Sequence, residues 1–422
     1  MTSTQAGPWR QIGWRNLGRH PKRTAITAIG LGVGYFAVVF LVGWSSGLMA
    51  QMVENGTGLV SGQIEIHDTD YRPDRSLYDT IGGREGADIS AIIRTIASDP
   101  AVVAAAPRLY AGGLISSGNS TSAGMLMGID PSLELDLTRF LDDLVEGRIV
   151  EPGRNELLVG DELARQLGAG VGDEVVLVAP GADGSMGNDL FTIAGIFHSG
   201  LAFIDSRYGV LPLDTLQTLI VMDTGRIHEV AVSTADPWIA TEAAGRLTAA
   251  LGPMDLDIEV APWTELRPEM VEYVALGESF YFLIIAIVFG LAMFGVANTM
   301  LMGTYERRRE FAVMLALGTS PRHIVLTVVY EAIALGAVSL VAGFVVTLPV
   351  MVWWHNAPPD LGWLYGEVTL MGALIRPSLR VEYDVAVWIW SSVALLLTAL
   401  LAALYPAARA ARVPPADALS GL

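Results

Sequence analysis

The chain has no cysteine among its 422 residues. Disulfides, thiolate nucleophiles and cysteine-ligated metal sites are therefore excluded, and any exported part must hold its fold by packing alone. Lysine is almost absent too, Lys22 being the only one. A P-loop needs a lysine beside a glycine-rich loop to reach the phosphates. Lys22 instead sits between Pro21 and Arg23 with no such loop, so the chain is not a P-loop ATPase. The six histidines show no His-Glu-x-x-His spacing, and there is no Gly-x-Ser-x-Gly elbow. The sequence thus offers no catalytic, cofactor-binding or metal-ligating motif. Charge is scarce as well. Only 17% of residues are charged and 52% are apolar, with a mean hydropathy of +0.46. Soluble domains carry about 25% charged residues, so this is a membrane protein with soluble parts. The net charge of −18 argues against nucleic acid as a partner, because phosphate binding needs basic patches.

Four stretches are long and apolar enough to cross a bilayer, which takes about 20 residues. They occupy residues 25–47, 277–304, 324–354 and 385–404. The first is longer than the ~7–15-residue core of a signal peptide and no small-residue cleavage site follows it, so it reads as a retained anchor. Arginine and lysine set the orientation. Residues 1–24 carry Arg10, Arg15, Arg19, Lys22 and Arg23. The 305–323 loop carries Arg307, Arg308, Arg309 and Arg322, and the 405–422 tail carries Arg409 and Arg412. These three segments are expected in the cytoplasm, with both termini. Residues 48–276 contain 13 basic against 35 acidic residues and are expected outside, as is the 355–384 loop. Residues 8–20 mix Trp9, Ile12, Trp14 and Leu17 with arginines, which suits an amphipathic helix in the cytoplasmic interface.

The external domain reads as α+β. A strand is expected at 63–67, a helix over 88–98 capped by Asp88 or Ser90, and a strand over 102–115. The same order recurs at 228–233, at 236–251, where Asp236 and Pro237 form a helix start, and at 254–260. Two β-α-β units split by an insertion predict a ferredoxin-like (porter-like) subdomain. The inserted subdomain, about 120–225, is expected to be β-rich, with strands at 155–159, 174–179 and 190–197. The last two are joined by a glycine-rich loop at 180–189.

Within the spans, Glu331 is the only charge of the third. An intramembrane carboxylate is a functional candidate by default, but its place near the cytoplasmic end favours anchoring to a neighbouring loop. Gly30 with Gly34, and Ala286 with Gly290, form small-xxx-small pairs that permit close helix approach. Phe40, Trp44, Phe280, Tyr281 and Phe282 gather at the outer ends of the first two spans, where aromatic belts form.

The loop after the second span reads Tyr305-Glu306-Arg307-Arg308-Arg309-Glu310-Phe311-Ala312-Val313-Met314-Leu315-Ala316-Leu317-Gly318. It resembles the signature of type VII ABC transporter permeases, the superfamily of the lipoprotein-releasing permeases (LolC/LolE-like), MacB and FtsX. Phe294 to Met300, Tyr405 to Arg412, Pro415 to Leu419, Trp14 to Leu17 with Arg23-Thr24, and Glu156 to Gly160 resemble the same family. The resemblance covers nearly the whole chain. It implies that Glu306, Arg307, Arg308, Arg309, Glu310, Leu317 and Gly318 form an ATPase-coupling helix, with Phe311, Val313, Leu315 and Leu317 packed beneath the bilayer. It implies a separate dimeric ABC ATPase that binds ATP and Mg, a second permease copy or paralogue, and contact with membrane lipid. A periplasmic lipoprotein carrier or adaptor is a further implied partner. The expected function is mechanotransmission at the bacterial inner membrane, extracting lipoproteins. Phe40, Trp44, Phe280, Tyr281 and Phe282 are then candidate cargo contacts. The 180–189 loop is short beside the hook of carrier-recruiting relatives. Alternatives are a MacB-like tripartite efflux permease and an FtsX-like signalling permease.

Overall fold

The computed structural model describes residues 15, 18–19, 21–58, 61–118, 120–141, 144–363, 368–370, 373–375, 378 and 380–414. The expected interfacial helix at 8–20 lies outside them except for Arg15, Gly18 and Arg19, as does the motif at 415–419. The chain divides into two units, residues 1–49, 274–361 and 378–422, and residues 50–273 and 362–377.

The first unit is built on four long helices, Pro21–Gly58, Pro268–Glu306, Pro321–Asn356 and Val385–Ala410. All are long and apolar enough to span a membrane. Three begin with proline, whose fixed φ and missing N–H suit the first helical position. Small residues set one close helix approach within the chain, and the marked glycines do not make it. Added Cβ atoms at Gly30 and Gly290 would meet nothing within 4 Å, and one at Gly34 would only touch Val288. The tight contact is Gly32 against Gly343 of the third long helix, where a Cβ at Gly32 would lie 3.1 Å from the Gly343 nitrogen. Spacing along one helix identifies small residues, whereas their partners are set by the other helices.

The second unit centres on one continuous ten-stranded sheet. Its strands are β1 (Ile64–Asp68), β2 (Val102–Ser117), β3 (Ser120–Ile129), β4 (Leu144–Gly147), β5 (Glu156–Gly160), β6 (Glu174–Pro180), β7 (Met186–Phe197), β8 (Tyr208–Pro212), β9 (Glu229–Thr234) and β10 (Ile258–Pro262). They run in the order β10-β1-β9-β2-β3-β8-β5-β7-β4, with β6 pairing β2 and β7. The sixteen residues of β2 join the two halves. Its first part pairs β9, and its second part pairs β3 and β6. Helices Ile89–Ala97 and Ala240–Leu251 follow β1 and β9, and Asp88 caps the former through the Ala91 N–H.

Two sequence expectations are corrected. The 254–260 strand starts only at Ile258, because Gly252–Met254 form a 3₁₀ turn and Asp255 takes a left-handed conformation, φ 52°. The 180–189 loop shrinks to residues 181–185, because Met186–Asp189 continue β7 in register with β6. The Ala182 N–H donates to the Ile220 carbonyl at 2.7 Å, so this hairpin end is tied to its own unit.

The second unit also buries charge that its alternation did not foretell. Arg108 on β2 and Glu134 are fully buried and paired at 2.5 Å, and Glu229 on β9 lies 3.5 Å from Arg108. The Tyr110 hydroxyl donates to Glu229 at 2.7 Å. Burial alone would lower the Arg108 pKa, but the Glu134 carboxylate and its neighbours outweigh it and leave it raised. Burial, reinforced by Glu229, pushes the Glu65 carboxyl up against the opposing guanidinium of Arg72.

His228 lies beside this network. Its Nδ1 accepts from the Tyr110 N–H at 2.9 Å, and its Nε2 faces the Leu77 carbonyl at 3.1 Å, so the neutral Nε2–H tautomer satisfies both. Burial lowers its pKa to about 4. The folded state therefore resists a proton that the unfolded chain accepts. The stability held above the ordinary histidine pKa of ~6.5 is lost as pH falls from there to about 4, by about 3 kcal/mol. Thermal unfolding of the full chain in detergent across that window checks this, and His228→Gln should remove this histidine's part of the dependence.

Candidate coupling site

The second long helix ends at Glu306, and the chain turns at Arg307, with φ −99° and ψ 9°, into the short helix Arg308–Ala316. That helix closes on Gly318, whose φ of +90° favours glycine. The Gly318 N–H donates to the Leu315 carbonyl and the Thr319 N–H to Met314, each at 3.0 Å. Pro321 then starts the third long helix. Two adjacent membrane-crossing helices are thus joined by a short helix with stops at both ends.

Arg307 is the pivot of the site. Its guanidinium is only 11% exposed and donates to Glu331 on the third long helix at 2.8 Å. It also reaches Glu310 at 3.3 Å and lies over the Phe311 ring at 4.9 Å. Glu331 therefore anchors the loop, the role its position in the sequence suggested. Two further pairs were not legible in the sequence. Arg23 on the first long helix donates to Glu306 at 2.7 Å, and Arg19 reaches Glu310 at 3.2 Å. The only signal for them was opposite charge on segments expected on one side of the membrane.

The apolar residues of the short helix divide between two faces. Phe311 is buried, and the half-buried Met314 and Leu315 pack on the same cluster with Ile324 and Met300. Val313 and Leu317 are instead 41% and 82% exposed, so within the chain only Phe311 and Leu315 of the four apolar residues join that cluster. At about 100° per residue, positions 311, 314 and 315 share one side of the helix, whereas 309, 313 and 317 share the other. Arg308 and Arg309 are exposed and have no ion-pair partner among the described residues.

The five aromatic candidates separate as well. Phe40 packs edge-on against Trp354 at 4.7 Å, Tyr281 shares a 3.0 Å hydrogen bond with Ser46, and Trp44 is half-buried in the same cluster. Phe280 and Phe282 are 51% and 72% exposed.

Four helices long and apolar enough to cross a membrane thus share one chain with an α+β unit, and a short charged helix joins the second of them to the third. The model described as MacB-like periplasmic core domain matches residues 24–250, more than half of the chain, and FtsX-like permease C-terminal matches residues 282–415. The chain belongs to this family: it is a LolC/LolE-like type VII ABC permease, a non-enzymatic transporter subunit whose ATPase is a separate chain. The lipoprotein-releasing system transmembrane protein LolC of Neisseria meningitidis serogroup B is 25% identical over 421 residues, covering 94% of this chain and 92% of that one. The LolE protein of Haemophilus influenzae is 22% identical over 341 residues, covering 78% and 79%. The periplasmic region of MacB from Actinobacillus actinomycetemcomitans superposes with a TM-score of 0.37 at 16% identity, covering 52% of this chain and 95% of that one. This is an inner-membrane protein with a periplasmic domain.

Proposed function

We propose that the chain is one permease of an ATP-driven complex that extracts lipoproteins from the inner membrane toward the outer membrane. Similarity over 94% of the chain to a lipoprotein-releasing LolC supports the cargo. The arginine distribution supports cytoplasmic termini, which puts the 306–318 segment on the side where an ATPase dimer supplies ATP and Mg. Closure of that dimer pushes the short helix, and Arg307 passes the motion to the third long helix through Glu331. Arg23 takes it to the first long helix through Glu306. The first and second long helices run on into the periplasmic unit, so motion at one end reaches the other.

That unit divides, in our reading, at β2. The outer strand order β10-β1-β9-β2, with helices after β1 and β9, supports a ferredoxin-like, porter-like subdomain. β3 to β8 then form the inserted β-rich subdomain. Phe280 and Phe282, exposed on the second long helix, are the aromatics placed to meet acyl chains. Phe40, Trp44 and Tyr281 serve helix packing. The five-residue hairpin end at 181–185 is too short and too firmly tied to reach far for a carrier. A second permease that is a paralogue with a longer loop supplies that docking.

The test is reconstitution of permease and ATPase in liposomes carrying an acylated protein in the outward-facing leaflet. ATP should release it to a soluble acceptor. Uptake of cargo from the nucleotide side would contradict the scheme.

A further inference from the structure

The inserted part of the sheet brings together three residues that the sequence keeps apart. In the parallel pair β5 and β7, Gly160 is opposite Phe197. The next residues, Asp161 and His198, therefore leave adjacent strands side by side. Asp205 joins them from the end of the short helix Ala202–Asp205. Gly160 makes that approach possible, since a Cβ there would lie 2.3 Å from the Asp205 carbonyl oxygen.

The donor atoms converge. His198 Nδ1 lies 3.3 Å from Asp161 Oδ2 and 3.5 Å from Asp205 Oδ2, and one ligand atom of each residue falls within 4.8 Å of the others. Tetrahedral donors at about 2.0–2.1 Å from Zn²⁺ stand about 3.3–3.4 Å apart, which these separations match. Asp205 is built for the task. It is only 3% exposed, and the Ser199 N–H and hydroxyl both donate to Oδ1, at 2.8 and 2.7 Å. This fixes the carboxylate and leaves Oδ2 facing the imidazole with no hydrogen-bond donor among the described residues. His198 is half-exposed, which leaves room for water to complete the shell. Arg165 also lies 3.5 Å from Asp161 Oδ2, but it is mainly exposed and held by Glu162 at 2.6 Å, so it can turn away.

We propose that Asp161, His198 and Asp205 bind a divalent transition-metal ion of the Zn²⁺ class in the periplasmic domain. Two carboxylates and one imidazole give an N/O donor set that suits Zn²⁺, and the ring nitrogen disfavours Ca²⁺ and Mg²⁺, which take oxygen. Bound there, the ion clips the ends of β5 and β7 to the 202–205 helix and stiffens that side of the sheet.

The test uses the full chain in detergent, stripped with chelator and titrated with Zn²⁺ at neutral pH by calorimetry. One Zn²⁺ per chain is expected. His198→Ala and Asp205→Asn should each weaken it at least about tenfold, with Co²⁺ giving four-coordinate absorption bands only in the unmutated chain. His198→Ala changes a half-exposed side chain, so its melting point without metal checks that it still folds. Absence of Zn²⁺ binding by the unmutated chain, or equal binding by His198→Ala, overturns the site and leaves a histidine side chain packed between two acids.

Discussion

Replacing Val313 and Leu317 together by aspartate is expected to abolish recovery of the ATPase with the permease, while insertion and melting point stay unchanged. Both side chains lie opposite Phe311, which is buried in the cluster that holds the short helix to its unit. Their exposure, 41% and 82%, makes them costly in water unless something covers them. Buried at a protein contact, each large aliphatic side chain contributes about 1.5–3 kcal/mol. Losing both, and adding two charges to a desolvated contact, should lower affinity at least about tenfold. Affinity purification with quantification of the ATPase reads the effect. If the ATPase stays bound, the outward face of this helix is not the docking surface.

The largest stability effect is expected at Glu134→Ala. This change leaves the fully buried Arg108 guanidinium with Glu229, at 3.5 Å, in place of a close partner at 2.5 Å. Breaking a buried pair from one side typically costs about 3–5 kcal/mol. Amide protection along β2, measured by hydrogen exchange on the full chain, should fall about 150–5,000-fold where exchange follows opening of that unit. Replacing both Arg108 and Glu134 with methionine removes the uncompensated charge and should restore much of the loss. Equal destabilisation by the double and single changes would mean that shape, not charge, governs this part of the sheet.

What the sequence revealed depended on whether a signal was local. The four spans were legible because a bilayer needs long runs without charge. The end of the short helix was legible because Gly318 follows an amphipathic turn. The helix at Asp88 was legible from its cap and its isoleucines. The pairing of Glu331 with a neighbouring loop followed from one carboxylate near a span end. Partners fixed by the fold were not legible. Residues 186–189 are mostly polar or small and read as loop, yet register with β6 makes them strand. Arg108 interrupts an apolar strand, but nothing near it in sequence names Glu134 or Glu229. Val313 and Leu317 are as apolar as Phe311, and only the bundle decides which side of the helix is covered. Asp161, His198 and Asp205 have no motif spacing, and only the parallel pairing of β5 with β7 unites them.

The central claim is that this chain works as the permease of a lipoprotein-releasing ABC complex. Its most direct test is affinity purification from detergent-solubilised membranes, with mass spectrometry of the bound proteins and lipidated peptides. The account predicts an ABC ATPase, a second permease copy or paralogue, and acylated proteins. An adaptor and an outer-membrane channel with no acylated protein would move the function to efflux. A complex shown to be intact that contains no ATPase would contradict the account itself.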